Sequence, residues 1–328
     1  MKNTVLCTAC DEEAARLKKQ GFVVDGCTPI PGHPDMCELS YRDPGDESTT
    51  ATSSNVKKTM ATAVATPATH SADFSGRGSP LTQDGLRGAA SSLGVNLPAL
   101  WAVMTVETSG CGFLPDRRPK ILFERHVFHK LTKGVFDAEA PDISNGKPRG
   151  YGKKDGAFQY ERLNRAIALD RTAALQSASW GLGQVMGFNA GAAGYADVET
   201  MVSAMSQTED AHVLAMAHFI EAHGLASNLK NEDWAGFASG YNGKGFEKHQ
   251  YDQKLKTAFA RYSVGPLPDL DVRAAQLFLS YGGYNPGTVD GWFGPSTQKA
   301  VMQFQKKSNL PVSGKLDDPT LLALSQIT

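Results

Sequence analysis

A segment of low complexity divides this chain of 328 residues and limits the ways in which it can fold. Residues 48–72, STTATSSNVKKTMATAVATPATHSA, contain 11 Ser or Thr and 6 Ala among 25 positions. This composition offers too few large apolar side chains to form a core, and it is typical of a flexible linker. The parts on either side must therefore fold as separate modules, over residues 1–47 and from residue 73 onward.

The charge of each part excludes some classes of partner. The whole chain has a net charge of −1, with 5 basic and 9 acidic residues in 1–47 and 21 basic and 20 acidic residues in 73–262. Neither part has the basic excess that is typical of a nucleic-acid-binding protein. No apolar run reaches the ~18 residues of a membrane-spanning helix. We therefore expect a monomer with no nucleic-acid partner and no stable membrane insertion.

Residues 1–47 predict a small α+β module whose role the sequence does not reveal. TVLCTA, FVVDGC and MCELSYRD are strand candidates, and DEEAARLKKQG is a helix candidate that ends at a glycine. Since MKNTVLCTACDEEAARLKK does not resemble a signal peptide, we expect synthesis in a reducing cytoplasm and no disulfides. The remaining interpretations are plain small apolar residues or one zinc site. The cysteines concerned are Cys7, Cys10, Cys27 and Cys37.

Helical periodicity dominates the rest of the chain, so the predicted fold class is mainly α. Residues 141–158 are rich in Gly and Lys and are predicted as a long loop, which in a compact domain is often functional. Residues 266–328 predict a separate bundle of three helices. The predicted helices of 73–262 are PLTQDGLRGAASSLG, NLPALWAVMTVETSG, YERLNRAIALDRTAALQSAS, VETMVSAMSQTEDAHVLAMAHFIEAHG with a break near 206–208, DWAGFASGYNG and FEKHQYDQKLKTAFARYS.

Glu107 lies on the apolar stripe of the helix that starts at Asn96. Leu100, Val103 and Met104 precede it at the spacing of one helix face. Burial and the negative end of the helix dipole both disfavour a charged carboxylate, so we expect a raised pKa for Glu107. A carboxyl that stays protonated near neutral pH suits a general acid. This stretch alone favours the other interpretation, a carboxylate that extends into solvent at the helix end.

Two further stretches present polar side chains between glycines. SWGLGQVMGFNAGAAGY, residues 179–195, presents Gln184 and suits the floor of a groove against which a polymer lies. It lacks the Gly-Lys-Ser/Thr ending of a phosphate-binding loop. FASGYNGKGF, residues 237–246, presents Tyr241 and Asn242 just after a short predicted helix.

VETSG, WGLGQVM and SGYNG occur in the order of three motifs of soluble lytic transglycosylases and goose-type lysozymes. The whole region 80–262, including RPKILFERHVFHKLT, resembles the N-acetylmuramidase domain of phage endolysins. This resemblance implies a lysozyme-like α-helical catalytic domain over 73–262, with Glu107 as the catalytic acid. It also implies that Gln184, Tyr241 and Asn242 line the site. Thr108 stands where many relatives have Ser, and because it keeps the hydroxyl we expect it to contact substrate.

The resemblance leaves the second catalytic group open. A glycosidase with two carboxylates needs them about 5–5.5 Å apart for retention or about 6.5–9.5 Å apart for inversion. Lytic transglycosylases dispense with the second carboxylate, because the 6-hydroxyl of the substrate attacks instead. Glu124 in LFERH is the main partner candidate and Asp116 is a weaker one. The alternative is that Glu124 forms an ion pair that holds the fold, with Arg118, Lys120 or Arg125.

Residues 266–328 resemble the peptidoglycan-binding domain type 1. The resemblance rests on NPGTVDGWFGPSTQKAVMQFQKKSNLPVSGKLDDPTLLAL, although most of these positions also suit the core and caps of a three-helix bundle. Trp292 and Tyr284 are our candidates for contact with the cell wall. Deletion of this domain is expected to weaken wall binding and to spare some activity.

Together the two resemblances imply a phage endolysin that acts without a cofactor on bacterial peptidoglycan. The expected reaction is cleavage of the β-1,4 bond between N-acetylmuramic acid and N-acetylglucosamine, for lysis of the host cell. The protein is expected to wait in the host cytoplasm until the membrane is permeabilised. The alternatives are a lytic transglycosylase that forms 1,6-anhydromuramic ends, and a non-catalytic wall-binding or virion structural protein.

Overall fold

The structure is a computed structural model of two separate units, residues 1–66 and 67–328. It describes residues 2–6, 14, 18, 23–30, 33–42, 74–108, 110–153, 156–243 and 245–327. The predicted linker 48–72 lies outside the described residues, and so do Cys7 and Cys10.

The N-terminal unit contains a three-stranded antiparallel sheet. Its strands are β1 (Lys2–Leu6), β2 (Val23–Ile30) and β3 (His33–Arg42), in the order β1-β3-β2, which confirms the three predicted strands. Cys27 in β2 is exposed and disulfide-bonded. The expectation of no disulfides is therefore wrong, and Cys27 cannot donate a thiolate to a zinc site. That expectation rested on the compartment alone, whereas thiol pairing depends on distances between cysteines in the fold.

The second unit is helical, as predicted, and its main core is a large cluster of buried apolar side chains around Leu100, Trp180 and Phe237. Its helices are α1 (Gln83–Leu93), α2 (Leu97–Thr108), α3 (Arg125–Leu131), α4 (Gly156–Leu169), α5 (Arg171–Gln176), α6 (Val198–Met205), α7 (Glu209–Ala222), α8 (Ala226–Lys230), α9 (Trp234–Asn242), α10 (Tyr251–Val264), α11 (Leu270–Tyr281), α12 (Pro295–Lys307) and α13 (Asp318–Ser325).

Helix α2 is the central helix of this core. Gly94 ends α1 in the left-handed conformation, and the Asn96 side chain then caps α2 by accepting the Ala99 N–H at 2.9 Å. Every residue from Ala99 to Met104 is buried, so α2 is apolar on all faces rather than along one stripe. No single described helix is long and apolar enough to cross a membrane, and α1 and α2 pass that test only as a pair bent by 106°.

Local capping explains where the helices differ from the predicted ones. The predicted helix over YERLNRAIALDRTAALQSAS is broken at Asp170, whose side chain accepts the Ala173 N–H at 2.9 Å and starts α5. The predicted break near 206–208 is confirmed, and Thr208 caps α7. The predicted loop 141–158 ends earlier, because α4 begins at Gly156.

A second small sheet lies within the helical unit and contains the glycine-rich stretch. It consists of β4 (Ile121–Phe123), β5 (Ala178–Trp180) and β6 (Val185–Met186), paired antiparallel in that order. The turn between β5 and β6 holds Gly181 at φ +65°, and a Cβ there would lie 2.7 Å from the ring of His212. Only glycine fits this turn, both for its backbone conformation and for the close packing against α7.

The last three helices form a bundle and also pack against the helices before them. The bundle core contains Ala275, Val301 and Phe304. On its other side, Leu277 of α11 joins a buried cluster with Phe113 from the segment after α2. The C-terminal bundle is therefore bound to the larger helical domain through a buried apolar contact.

Candidate active site

Glu107 occupies the last turn of α2, where it is partly buried. The Asn242 side chain donates a hydrogen bond from Nδ2 to Oε1 of Glu107 at 3.0 Å. Burial raises the pKa of Glu107 to about 7, and the hydrogen bond from Asn242 acts in the opposite direction. The carboxyl is thus held inside the site rather than extended into solvent, and its pKa lies near neutral pH.

Asn242 and Tyr241 connect the three sequence motifs. Both lie at the end of α9, which Asp233 caps by accepting the Gly236 N–H at 2.9 Å. While Asn242 donates to Glu107, the Tyr241 hydroxyl donates to the backbone oxygen of Gly183 at 2.7 Å. The rings of Phe237 and Phe219 pack on Tyr241 and fix its position. The motifs around residues 107, 183 and 241 therefore meet at one place.

Gln184 stabilises the glycine-rich turn between β5 and β6 through side-chain hydrogen bonds to neighbouring residues. Its backbone is left-handed, at φ +47°. Its Nε2 donates to the Gly181 oxygen at 2.8 Å, and its Oε1 accepts a hydrogen bond from Ser179 at 2.9 Å. These bonds hold the turn that presents Gly183 to Tyr241. The side chain thus braces the turn.

Glu124 is held by partners that the sequence did not suggest. Tyr151 donates its hydroxyl hydrogen to Oε1 of Glu124 at 2.9 Å, and His126 Nδ1 lies 3.1 Å from Oε2. The predicted partner Arg118 pairs with Asp116 instead, at 2.5 Å. Asp116 therefore belongs to a partly exposed ion pair. Glu107 is therefore hydrogen-bonded to an amide, whereas Glu124 is hydrogen-bonded to a phenol and has an imidazole nearby.

The other predicted positions are placed as follows. Thr108 is the last residue of α2, and its side chain lies outside the described part of the structure. Trp292 packs against the core of the larger domain, with the Arg261 guanidinium 4.9 Å from its ring centre. Tyr284 packs against the core of the C-terminal bundle, edge to face with Phe304. Within the described ranges, no group of three or more His, Cys, Asp or Glu could hold a metal ion.

Glu209 is a buried carboxylate that the sequence did not point to. It forms an ion pair with Arg273 of α11, and its side chain is 0% exposed while that of Arg273 is 1% exposed. Glu209 also accepts the Gly112 N–H at 2.7 Å, and Arg273 donates from Nη2 to the Gly110 oxygen at 3.1 Å. Burial alone would raise the pKa of Glu209, but the Arg273 charge keeps that pKa below its usual value. The pair fixes the turn that follows Glu107.

His212 and Tyr251 are two further groups that sequence reasoning missed. Burial lowers the pKa of His212 to about 4, so this imidazole is neutral and accepts the Leu182 N–H at 3.2 Å. Tyr251 lies near enough to Glu107 for the carboxylate to raise its pKa, after the larger effect of burial. The only sequence signal was their place in helical segments, which also fits ordinary core residues.

Comparison with known proteins places the helical unit in two families. The N-acetylmuramidase family matches residues 96–263, and a peptidoglycan-binding domain family matches residues 268–324. The crystal structure of the Burkholderia AP3 phage endolysin is 42% identical, over 56% of this chain and 70% of that one, with a TM-score of 0.52. No curated protein matches the chain. Because the family match spans half of the chain, the protein belongs to the N-acetylmuramidase family and is a peptidoglycan-degrading enzyme.

Proposed function

We propose that the protein hydrolyses the β-1,4 bond between N-acetylmuramic acid and N-acetylglucosamine, with Glu107 as the general acid. The observation that carries this proposal is the partly buried Glu107, whose pKa is raised to about 7 and whose Oε1 is bonded to Asn242. A carboxylic acid with a pKa near the working pH is suited to give a proton to a leaving oxygen.

In the proposed reaction the bond between C1 of the muramic acid and the bridging oxygen breaks. Glu107 transfers its proton to that oxygen, which leaves as the 4-hydroxyl of N-acetylglucosamine. The oxygen of a water molecule forms the new bond to C1, and the proton that this water loses restores Glu107 to its acid form. Charge develops on C1 and on Glu107 together, so the desolvated carboxylate lies next to the positive charge that it stabilises.

Asn242 is suited to hold both the acid and the substrate. Its Nδ2 donates to Glu107, while its Oδ1 is buried and has no hydrogen-bond partner among the described residues. A buried acceptor without a partner is costly unless a ligand supplies the missing hydrogen. We infer that Oδ1 accepts a hydrogen bond from an N–H or O–H of the bound sugar. Tyr241 holds the facing turn through Gly183.

The decisive test is the Glu107→Gln substitution, which keeps the shape of the side chain and removes the proton donor. We expect release of soluble fragments from purified cell wall to fall by about 10²–10⁴-fold or more. Glu161→Gln, at an exposed position of α4, is the matched control and is expected to match the parent enzyme. Lysis by Glu107→Gln at the parent rate would contradict the proposed acid.

The second candidate function is that of a lytic transglycosylase, and two features around Glu107 favour it. The partner of Glu107 is an amide, and the candidate second carboxylate, Glu124, is bonded to Tyr151. Chemistry with one carboxylate would suit an intramolecular attack by the 6-hydroxyl of the muramic acid. Mass spectrometry of digested wall separates the two reactions: hydrolysis leaves reducing muramic ends, whereas transglycosylation leaves 1,6-anhydromuramic ends.

We further infer that the enzyme serves host lysis and acts on the wall once the cytoplasmic membrane has been permeabilised. The experiment adds the purified protein to intact and to permeabilised Gram-negative cells and follows turbidity. We expect clearing of the permeabilised cells only. A protein that binds these cells without clearing them would instead be a wall-binding or virion structural protein.

A further inference from the structure

A cavity lies where the C-terminal bundle meets the catalytic helix α2. Its volume is about 190 Å³, and apolar cavities of about 150 Å³ hold a molecule as large as benzene. Trp101 of α2, Tyr262 of α10 and Trp292 form aromatic walls, and Arg261, Arg273 and Asp290 bring charge to it. Clefts between domains with aromatic walls and a few polar groups are common ligand sites.

The charged groups of this cavity are only partly used within the protein. The Arg261 guanidinium forms no hydrogen bond or ion pair with the described residues, and it lies 4.9 Å from the ring centre of Trp292. Arg273 is 1% exposed, and its Nε has no hydrogen-bond partner in the described part of the structure. Glu209 neutralises the charge of Arg273. One unpaired positive charge and one buried, unused N–H donor therefore remain at the cavity.

Asp290 supplies the opposite charge. Its Oδ1 accepts the Trp292 N–H at 3.0 Å and the Gln276 side-chain amide at 3.2 Å, which fixes the carboxylate in place. Its hydrogen-bond partners are neutral amides, and it forms no ion pair with the described residues. The cavity thus offers one guanidinium and one carboxylate, neither of which forms an ion pair with the described residues.

These groups match a ligand that carries a carboxylate and an ammonium on a small apolar frame. A guanidinium binds a carboxylate through two parallel hydrogen bonds, and the carboxylate of Asp290 suits an ammonium. A volume of about 190 Å³ suits one amino-acid unit. We propose that the cavity binds the free amino-acid end, with its ammonium and carboxylate, of an uncrosslinked stem peptide of peptidoglycan, a proposal that rests on the proposed function.

The position of the cavity gives this binding a consequence for catalysis. Trp101 and Thr105 line it from α2, and Gly110, three residues after Glu107, lines it as well. The peptide and the scissile glycan would be held by one rigid helix and the turn that follows it. The enzyme therefore prefers glycan strands that carry uncrosslinked peptides over bare strands.

Calorimetric titration of the full-length protein tests the binding directly. The probe is the stem tripeptide L-alanyl-γ-D-glutamyl-meso-diaminopimelate, and the same tripeptide with amidated diaminopimelate carboxyls is its control. We expect saturable binding of the acid form, and Arg261→Gln to weaken it by roughly 10- to 150-fold. Arg87→Gln, at an exposed arginine of α1, is expected to bind like the parent. Equal binding by Arg261→Gln, or by the amidated peptide, would overturn the proposal.

Kinetics provide the second measurement. On peptide-bearing wall, Arg261→Gln should raise KM at unchanged kcat, whereas on glycan strands stripped of peptide by an amidase it should match the parent. Thr288→Tyr, which adds bulk at an exposed position of the cavity rim, should have the same effect. If both variants leave KM unchanged on peptide-bearing wall, the cavity has no part in substrate binding. If the protein did not cleave the glycan as proposed, binding of the tripeptide measured by titration would be unaffected. Failure of the proposed function and failure of the proposed peptide site are therefore distinguishable.

Discussion

Replacing Arg273 by methionine is expected to destabilise the catalytic domain, although Arg273 lies in the C-terminal bundle. The substitution leaves Glu209 as a buried carboxylate without its counter-charge. Both side chains are almost fully buried, at 0% exposure for Glu209 and 1% for Arg273. Truncating one partner of a buried ion pair typically costs about 3–5 kcal/mol of unfolding free energy.

The size of the expected effect follows from that free energy. For a unit of this size each kcal/mol corresponds to roughly 2–4 °C in Tm, so Arg273→Met should lower Tm by roughly 6–20 °C. The loss of unfolding free energy caused by Arg273→Met should increase with pH. Without Arg273 the buried Glu209 is most unfavourable when ionised, so the difference from the parent should be larger at pH 8 than at pH 5.

The assay is thermal unfolding followed by circular dichroism at both pH values. Arg171→Met is the matched control, because Arg171 pairs with Glu199 at 2.6 Å where both side chains are about half exposed, and it should cost at most ~1 kcal/mol. The double variant Glu209→Gln/Arg273→Met removes both charges and should be more stable than Arg273→Met. If Arg273→Met unfolds within 2 °C of Arg171→Met at pH 8, the inferred role of the pair is wrong.

Three further predictions concern the catalytic groups. Because Glu107 acts in its protonated form and its pKa is about 7, kcat/KM should fall about tenfold per pH unit above that value. Asn242→Ala should move this fall to higher pH, since the amide lowers the pKa of Glu107. A pH–rate profile measures both effects, with Asn231→Ala at an exposed position as the control. Burial raises the pKa of Glu107 from 4.5 to about 7, so ionisation destabilises the fold as pH rises through that window. Glu107→Gln should therefore be more stable than the parent at pH 8, by at most about 3 kcal/mol, and equally stable at pH 4. Tyr241→Phe removes the hydrogen bond to Gly183 and should cost about 0.5–1.5 kcal/mol, measured by urea unfolding, with a lower kcat.

Helical spacing and capping residues in the sequence predicted most helices and the ends of several of those helices. Asn96 as the cap of α2 and Gly94 as the end of α1 were predictable, because capping depends on a side chain and a backbone only a few residues apart. Helical spacing placed Glu107 on an apolar stripe, but it did not by itself distinguish a buried carboxyl from one that extends into solvent. The break at Asp170 was missed, because Asp also occurs on the exposed faces of continuous helices.

Interactions between distant residues could not be predicted from those signals. Glu209 and Arg273 are 64 residues apart, and the sequence around each predicts an exposed charge on an amphipathic helix. Their pairing depends on how the C-terminal bundle docks, which no spacing in the chain encodes. The contact of Tyr241 with Gly183 is likewise set by tertiary packing, and only resemblance to a family brought the two motifs together in advance.

The docking of the C-terminal bundle changes how a truncation should be interpreted. Residues 266–328 were expected to act as a separable binding domain whose deletion spares some activity. Deletion would remove Arg273 and leave Glu209 without its counter-charge beside the turn that follows Glu107, where Gly112 donates to it at 2.7 Å. Loss of activity after that deletion would therefore report destabilisation of the catalytic domain as well as loss of wall binding. Substitutions at the exposed Arg261 leave the buried pair intact, so they can separate recognition of the wall from folding.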